Sequence, residues 1–124
     1  MKGYEVQIKE TNAELTAKQR IAIKDTTDAV KLDHATAEEA VIIYPAAWAV
    51  LSVHNEKSDD KEYETYVIID KEGVKYTTGS ASFWSSFMGI YDEMKNEEEE
   101  WGIKVYRMES KNYKGKTFIT CSII

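Results

Sequence analysis

The sequence predicts a mainly β domain of the α+β class, on three observations. Apolar and polar residues alternate at strand period in short stretches spread from Tyr4 to Ile123. One long stretch, Ser82 to Met94, has the helical period instead. Turn-forming residues separate the alternating stretches, most clearly at Lys71-Glu72-Gly73.

Taken in order, Tyr4 to Lys9 alternates and reads as a first strand. Leu15 to Asp25 is open: Arg20 to Lys24 looks like strand, while Ala13 to Gln19 suits a helical turn opened by Asn12. Asp25-Thr26-Thr27-Asp28 has turn chemistry, and Ala29 to Asp33 is a short strand candidate. Thr36-Ala37-Glu38-Glu39 matches a capping box, in which a Thr hydroxyl and a Glu carboxylate each take a free backbone N–H. The helix it predicts is short, because Pro45 disfavours helical geometry at Tyr44. Ala46 to His54 and Glu62 to Asp70 read as strands joined by the polar loop Asn55 to Lys61. Gly73, free to take positive φ, turns the chain into Val74 to Thr78. Ser80 or Ser82 caps the following helix, whose Phe83, Phe87, Ile90 and Met94 share one face. After the acidic run Glu97 to Glu100, Ile103 to Arg107 and Phe118 to Ile123 alternate as a closing hairpin.

From Ala46 onward this is strand, strand, strand, helix, strand, strand. That is the order of an oligonucleotide/oligosaccharide-binding barrel, so an OB-like, mostly antiparallel five-stranded barrel with one packed helix is expected over 46–124. The same order also suits a generic α+β sheet carrying one helix. Residues 1–45 form an N-terminal extension or subsheet within a single domain of 124 residues. The chain is long enough for a core without covalent staples.

Cys121 is the one cysteine, which excludes an internal disulfide and disfavours a zinc cluster. It reads as core filler in a reducing, cytoplasmic setting. No apolar run reaches membrane length and Met1-Lys2-Gly3-Tyr4-Glu5 does not open a signal peptide, so an intracellular protein is expected. The net charge of −6 argues against broad nucleic-acid affinity, but the charge is unevenly placed. Tyr76 to Trp101 holds one lysine against six acids. Gly102 to Ile124 holds five cations against Glu109 alone.

That basic hairpin carries the candidate site. If Ile103 and Val105 face the core, then Lys104 and Tyr106 face outward, with Phe118 on the matching face of the last strand. Trp48, opposite Leu51 and Val53 on its own strand, joins them as a fourth candidate. Exposed aromatics beside cations form a platform on which bases stack while ammonium groups meet phosphates. Lys104, Arg107, Lys111, Lys114 and Lys116 are the phosphate candidates; Trp48, Tyr106, Tyr113 and Phe118 are the stacking candidates. Arg107 shares strand parity with Ile103 and Val105, which also suits a pairing at the sheet edge. The competing arrangement turns Tyr106, Phe118 and Trp48 toward a second layer built by the N-terminal region.

Catalytic patterns are lacking. His34 and His54 stand outside any metal-binding spacing, and Ser85 and Ser86 lack a nucleophile elbow. Asp59, Asp60, Glu62 and Glu64 cluster beside a strand, where a solvated loop explains them more simply than a divalent metal.

Tyr76-Thr77-Thr78-Gly79-Ser80 leading into the helix, Lys104-Val105-Tyr106-Arg107, and Ser110-Lys111-Asn112-Tyr113-Lys114-Gly115-Lys116 with its following strand give the chain a resemblance. Over Ala46 to Ile124 it resembles the small single-stranded-DNA-binding proteins of bacteriophages that infect Gram-positive bacteria. The resemblance implies sequence-tolerant coating of single strands in phage replication or recombination, in the cytoplasm of the bacterial host, without catalysis, metal or cofactor. It implies single-stranded DNA and phage or host replication proteins as partners, and leaves room for a homo-oligomer. Many such proteins end in a flexible acidic tail, whereas this chain ends in the apolar strand Ile119 to Ile124. The alternatives are an acidic protein-interaction module of the accessory-factor kind and, more remotely, a metal-dependent enzyme using the Asp59 to Glu64 cluster.

Overall fold

Among the described residues the chain forms eight strands, and they fall into two sheets. The structure, a computed structural model, describes residues 3–12, 14–110 and 115–124. The elements run β1 (Tyr4–Thr11), α1 (Ala17–Lys24), β2 (Val30–Lys31), α2 (Leu32–Ala35), β3 (Val41–Ile43), β4 (Pro45–Asn55), β5 (Glu62–Asp70), β6 (Lys75–Thr78), α3 (Ala81–Met94), β7 (Ile103–Glu109) and β8 (Thr117–Ile123). One sheet has the order β1-β4-β5-β6-β2 and the other β3-β7-β8. The pairs β1–β4, β5–β6, β3–β7 and β7–β8 are antiparallel. The mainly β, α+β expectation therefore holds. The five-stranded barrel does not form among the described residues: the sheets are not closed. Its physical obstacle is β3, which takes the free side of β7 through Val41↔Val105, Ile42↔Lys104 and Ile43↔Ile103. The chain divides into two compact units, residues 1–30 with 46–79 and residues 31–45 with 80–124, so residues 1–45 are shared between both.

In the first unit, Ala49, Leu51 and Val53 of β4 and Val67 of β5 share a core with Ile23 of α1, edged by Val6, Ile8, Leu15, Tyr63 and Ile69. Each fully buried aliphatic side chain here contributes about 1.5–3 kcal/mol over an exposed one. α1 corrects the strand expected at Arg20 to Lys24. Thr16, not Asn12, opens it: its hydroxyl accepts from Gln19 N, and the Gln19 side chain accepts from Thr16 N. Only Ile23 of the helix is buried, so the Ile21/Ile23 alternation that mimics a strand places one isoleucine in the core and leaves the other in solvent. The β5–β6 turn follows the sequence closely. Asp70 Oδ1 accepts from Glu72 N and Val74 N, and Gly73 takes φ +89°.

In the second unit, Ser80 caps α3 by accepting from Phe83 N at 3.2 Å. Phe83 and Phe87 are fully buried. Phe87 stacks on Phe83 and Tyr91 at 6.3 and 6.2 Å and meets Trp84 at 5.0 Å. α3 packs along β8, and Leu32, Ile43, Ile103, Val105 and Ile119 are also buried in this unit. Thr36 departs from its expected role. Its hydroxyl donates to Leu32 O at 2.6 Å, so it closes α2 and opens no helix. The stretch after it, expected to be helical, instead supplies β3. No helix among the described residues is long and apolar enough to cross a membrane.

Candidate nucleic-acid interface

Strand parity in the three-stranded sheet separates two surfaces. Ile103, Val105, Ile119 and Cys121 are buried on one. Lys104, Tyr106 and Met108 point the other way, opposite Ser122, Thr120 and Phe118. Ile42 of β3 stands opposite Lys104 and extends the same face. Phe118, Met108 and Ile42 are 37%, 44% and 46% exposed, Tyr106 is half-buried and Lys104 is exposed. The expected outward placement of Lys104, Tyr106 and Phe118 is thus what the fold produces.

The face is also internally ordered. Tyr106 Oη and Ser122 Oγ lie 2.8 Å apart, a hydrogen bond that fixes the ring. Lys104 Nζ sits 5.9 Å from the centre of that ring, within cation–π range. Phe118 pairs with Met108, one step along from Tyr106–Thr120, so the two rings are diagonal neighbours with backbones about 7–8 Å apart. Lys116 is exposed at the end of the hairpin turn, where its carbonyl accepts from Ser110 N at 2.9 Å and Gly115 takes φ +78°. Lys111, Tyr113 and Lys114 lie outside the described residues.

Two expected members do not belong to this face. Trp48 is only 6% exposed, which leaves its indole without a face to offer a base. Its backbone is pinned between Asn12 and Thr11: Trp48 N donates to Asn12 Oδ1 and Trp48 O accepts from Thr11 Oγ1. Trp48 and Val50 alternate with Ala49 and Leu51, and all four are buried, so β4 is covered on both sides there. Arg107 follows Val105 in parity and points to the buried side. It donates to Thr117 Oγ1 at 2.9 Å and to the Asp33 carbonyl near the end of α2. The guanidinium is therefore a structural strut. Conversely, Met108 and Ile42 join the face although neither was among the candidates. Met108 was legible from its parity with Tyr106; Ile42 was hidden by the helix expected there.

Several titratable groups on the β4–β5 side are engaged with one another. His54 lies between two carboxylates, with Nε2 2.7 Å from Glu56 Oε1 and Nδ1 bonded to Glu62 Oε1. Those hydrogen bonds, first that of Glu62 and then that of Glu56, raise its pKa above 6.5. Glu64 pairs with Lys9 and Glu62 with His54, so these two carboxylates of the Asp59 to Glu64 stretch serve separate contacts. Among the described residues no group of three His, Cys, Asp or Glu side chains is placed to hold a metal ion. Burial pushes the Cys121 thiol up to about 12, which keeps it protonated and unreactive at neutral pH. Comparison of the chain with protein-family models, with curated proteins and with solved structures gives no match.

Proposed function

We propose that the chain binds single-stranded DNA, tolerant of sequence, across the open face of the β3-β7-β8 sheet. The observation that carries this reading is the exposed Phe118 beside the hydrogen-bonded, lysine-flanked ring of Tyr106. A base laid on either ring gains ~1–3 kcal/mol from stacking, and any base offers the face it needs. Lys104 and Lys116 meet the phosphates, with Lys111 and Lys114 as further candidates from the sequence. Trp48 and Arg107 have no part in it. A sheet face suffices for this mode, so the reading does not depend on an OB-like barrel. The role consistent with it is non-enzymatic coating of single strands in phage replication or recombination, as the family resemblance implies.

The acidic balance of the chain sets the expected behaviour. With a net charge of −6, long-range attraction is absent and binding rests on local contacts. A fluorescence titration with oligo-dT at low and high salt tests the reading. Saturable binding that weakens with salt supports it; absence of binding at low salt rejects it.

A further inference from the structure

The opposite side of the same unit carries a second surface, independent of the single-strand reading. A groove of about 480 Å³ runs between α3 and β8. Gly89, Ile90 and Met94 line it from the helix, and Cys121 and Ile123 from the strand. Ile123 is 49% exposed although it stands in strand parity with buried Cys121. Gly89 gives the groove its depth: a Cβ built there meets nothing within 4 Å. Glycine in the middle of a helix costs about 0.5–1 kcal/mol relative to alanine, and no close neighbour accounts for it here.

Charge defines the occupant. Glu93 lines the groove, is exposed, and forms no ion pair among the described residues. Glu97, Glu98 and Glu99 follow just beyond the end of α3, also exposed. The nearby Lys95 is engaged with Asp92 at 3.6 Å. An apolar floor with a negative rim repels phosphate backbones and anionic lipid, and it matches a peptide carrying a large apolar anchor flanked by Lys or Arg. The volume suits a small molecule as well, but the groove is open to solvent along its length. It cannot enclose most of a small ligand, whereas a peptide needs only one covered face.

We infer that the α3–β8 groove docks a basic peptide segment of a partner protein, its apolar anchor over Gly89 and its cations against Glu93 and the acids that follow α3. The test pans a displayed library of random peptides of about a dozen residues against the immobilised full chain. A selected peptide is then synthesised and titrated against wild type, Gly89→Leu and Glu93→Lys. Leucine at position 89 fills the groove and favours the helix, so an unchanged or raised melting temperature certifies the fold. The expected result is enrichment of Lys- or Arg-flanked apolar anchors. Binding should be at least about tenfold weaker to Gly89→Leu, and weaker with less salt dependence to Glu93→Lys. Failure to enrich any sequence, enrichment of acidic or uncharged peptides, or equal binding to wild type and both variants overturns the inference. So does concentration-dependent dimerisation that Gly89→Leu abolishes, since the occupant is then a second copy of the chain. None of these outcomes bears on oligo-dT binding, so the two readings fail separately.

Discussion

The five-stranded and three-stranded sheets use the same alternation and reach opposite ends. In the first, Trp48, Val50, Tyr66 and Ile68 are buried on one side and Leu51, Val53 and Val67 on the other. In the second, Val105, Ile119 and Cys121 are buried while Ile42, Met108 and Phe118 stay exposed. An aromatic on a strand is therefore no indicator of a binding platform by itself. Trp48 and Phe118 both lie on strands, and the covering of their faces distinguishes the core residue from the surface one.

The largest expected effects separate those two kinds of aromatic. Phe87→Ala should cost ~3–5 kcal/mol in urea denaturation, since the ring is fully buried among Phe83, Trp84 and Tyr91. Trp48→Ala should fall in the same range of about 3–5 kcal/mol and leave oligo-dT affinity unchanged once the folded fraction is accounted for. Phe118→Ala should cost about 1 kcal/mol or less. A Trp48 variant that folds normally but loses DNA affinity would reverse the comparison.

Next in size are the turns, which should be alike in both sheets. Gly73 and Gly115 both take positive φ, with open space at the Cβ position, so backbone strain alone sets the effect of alanine there. Gly73→Ala and Gly115→Ala should each cost ~1–2 kcal/mol in the same denaturation experiment. A markedly smaller loss at Gly115 would mean that the β7–β8 turn relaxes in a way the β5–β6 turn does not.

Smaller still is the pH response of the β4–β5 loop, on the five-stranded sheet alone. The folded pKa of His54 is raised above 6.5 by Glu62 and Glu56. The stabilisation is then complete below 6.5 and is lost as pH rises through the folded value. Melting temperatures from about pH 6 to pH 9 should show wild type ahead of His54→Gln at the acid end, with the lead shrinking as pH rises. His54 is partly exposed, so solvent screening reduces the effect on stability. A constant lead across the range would show that the His54 contacts do not depend on its charge.

The sequence made local structure legible and long-range pairing obscure. The Ser80 cap, the Phe83/Phe87 face and the Asp70–Gly73 turn depend on neighbours a few residues away, and all three are present. α1 had its own local signal, the Thr16–Gln19 box, but the reading looked to Asn12 for the cap, and the Ile21/Ile23 alternation kept helix and strand both open. Thr36 carried a cap signature, yet its hydroxyl is spent backward on Leu32. The split into two sheets rests on β3 meeting β7, some 60 residues downstream in the register Val41↔Val105. No local pattern encodes that pairing. The same blindness hid Ile42 and promoted Trp48, because alternation tells which residues share a face but not which face is covered. For Arg107, parity with Val105 suited a pairing with an acid at the sheet edge, and the guanidinium instead donates to the Thr117 hydroxyl and the Asp33 backbone carbonyl.

The central claim is that the open face of the three-stranded sheet binds single strands by stacking on Phe118 and Tyr106 and by ion pairing through Lys104. Oligo-dT titrations of wild type, Phe118→Ala and Lys104→Ala across a salt series test it most directly. Phe118→Ala should lose ~1–3 kcal/mol of affinity with the salt slope unchanged. Lys104→Ala should reduce that slope by ~0.7. If wild type binds no single strand at low salt, or if both variants bind as wild type does with the same slope, the face is not the binding surface and the account is wrong.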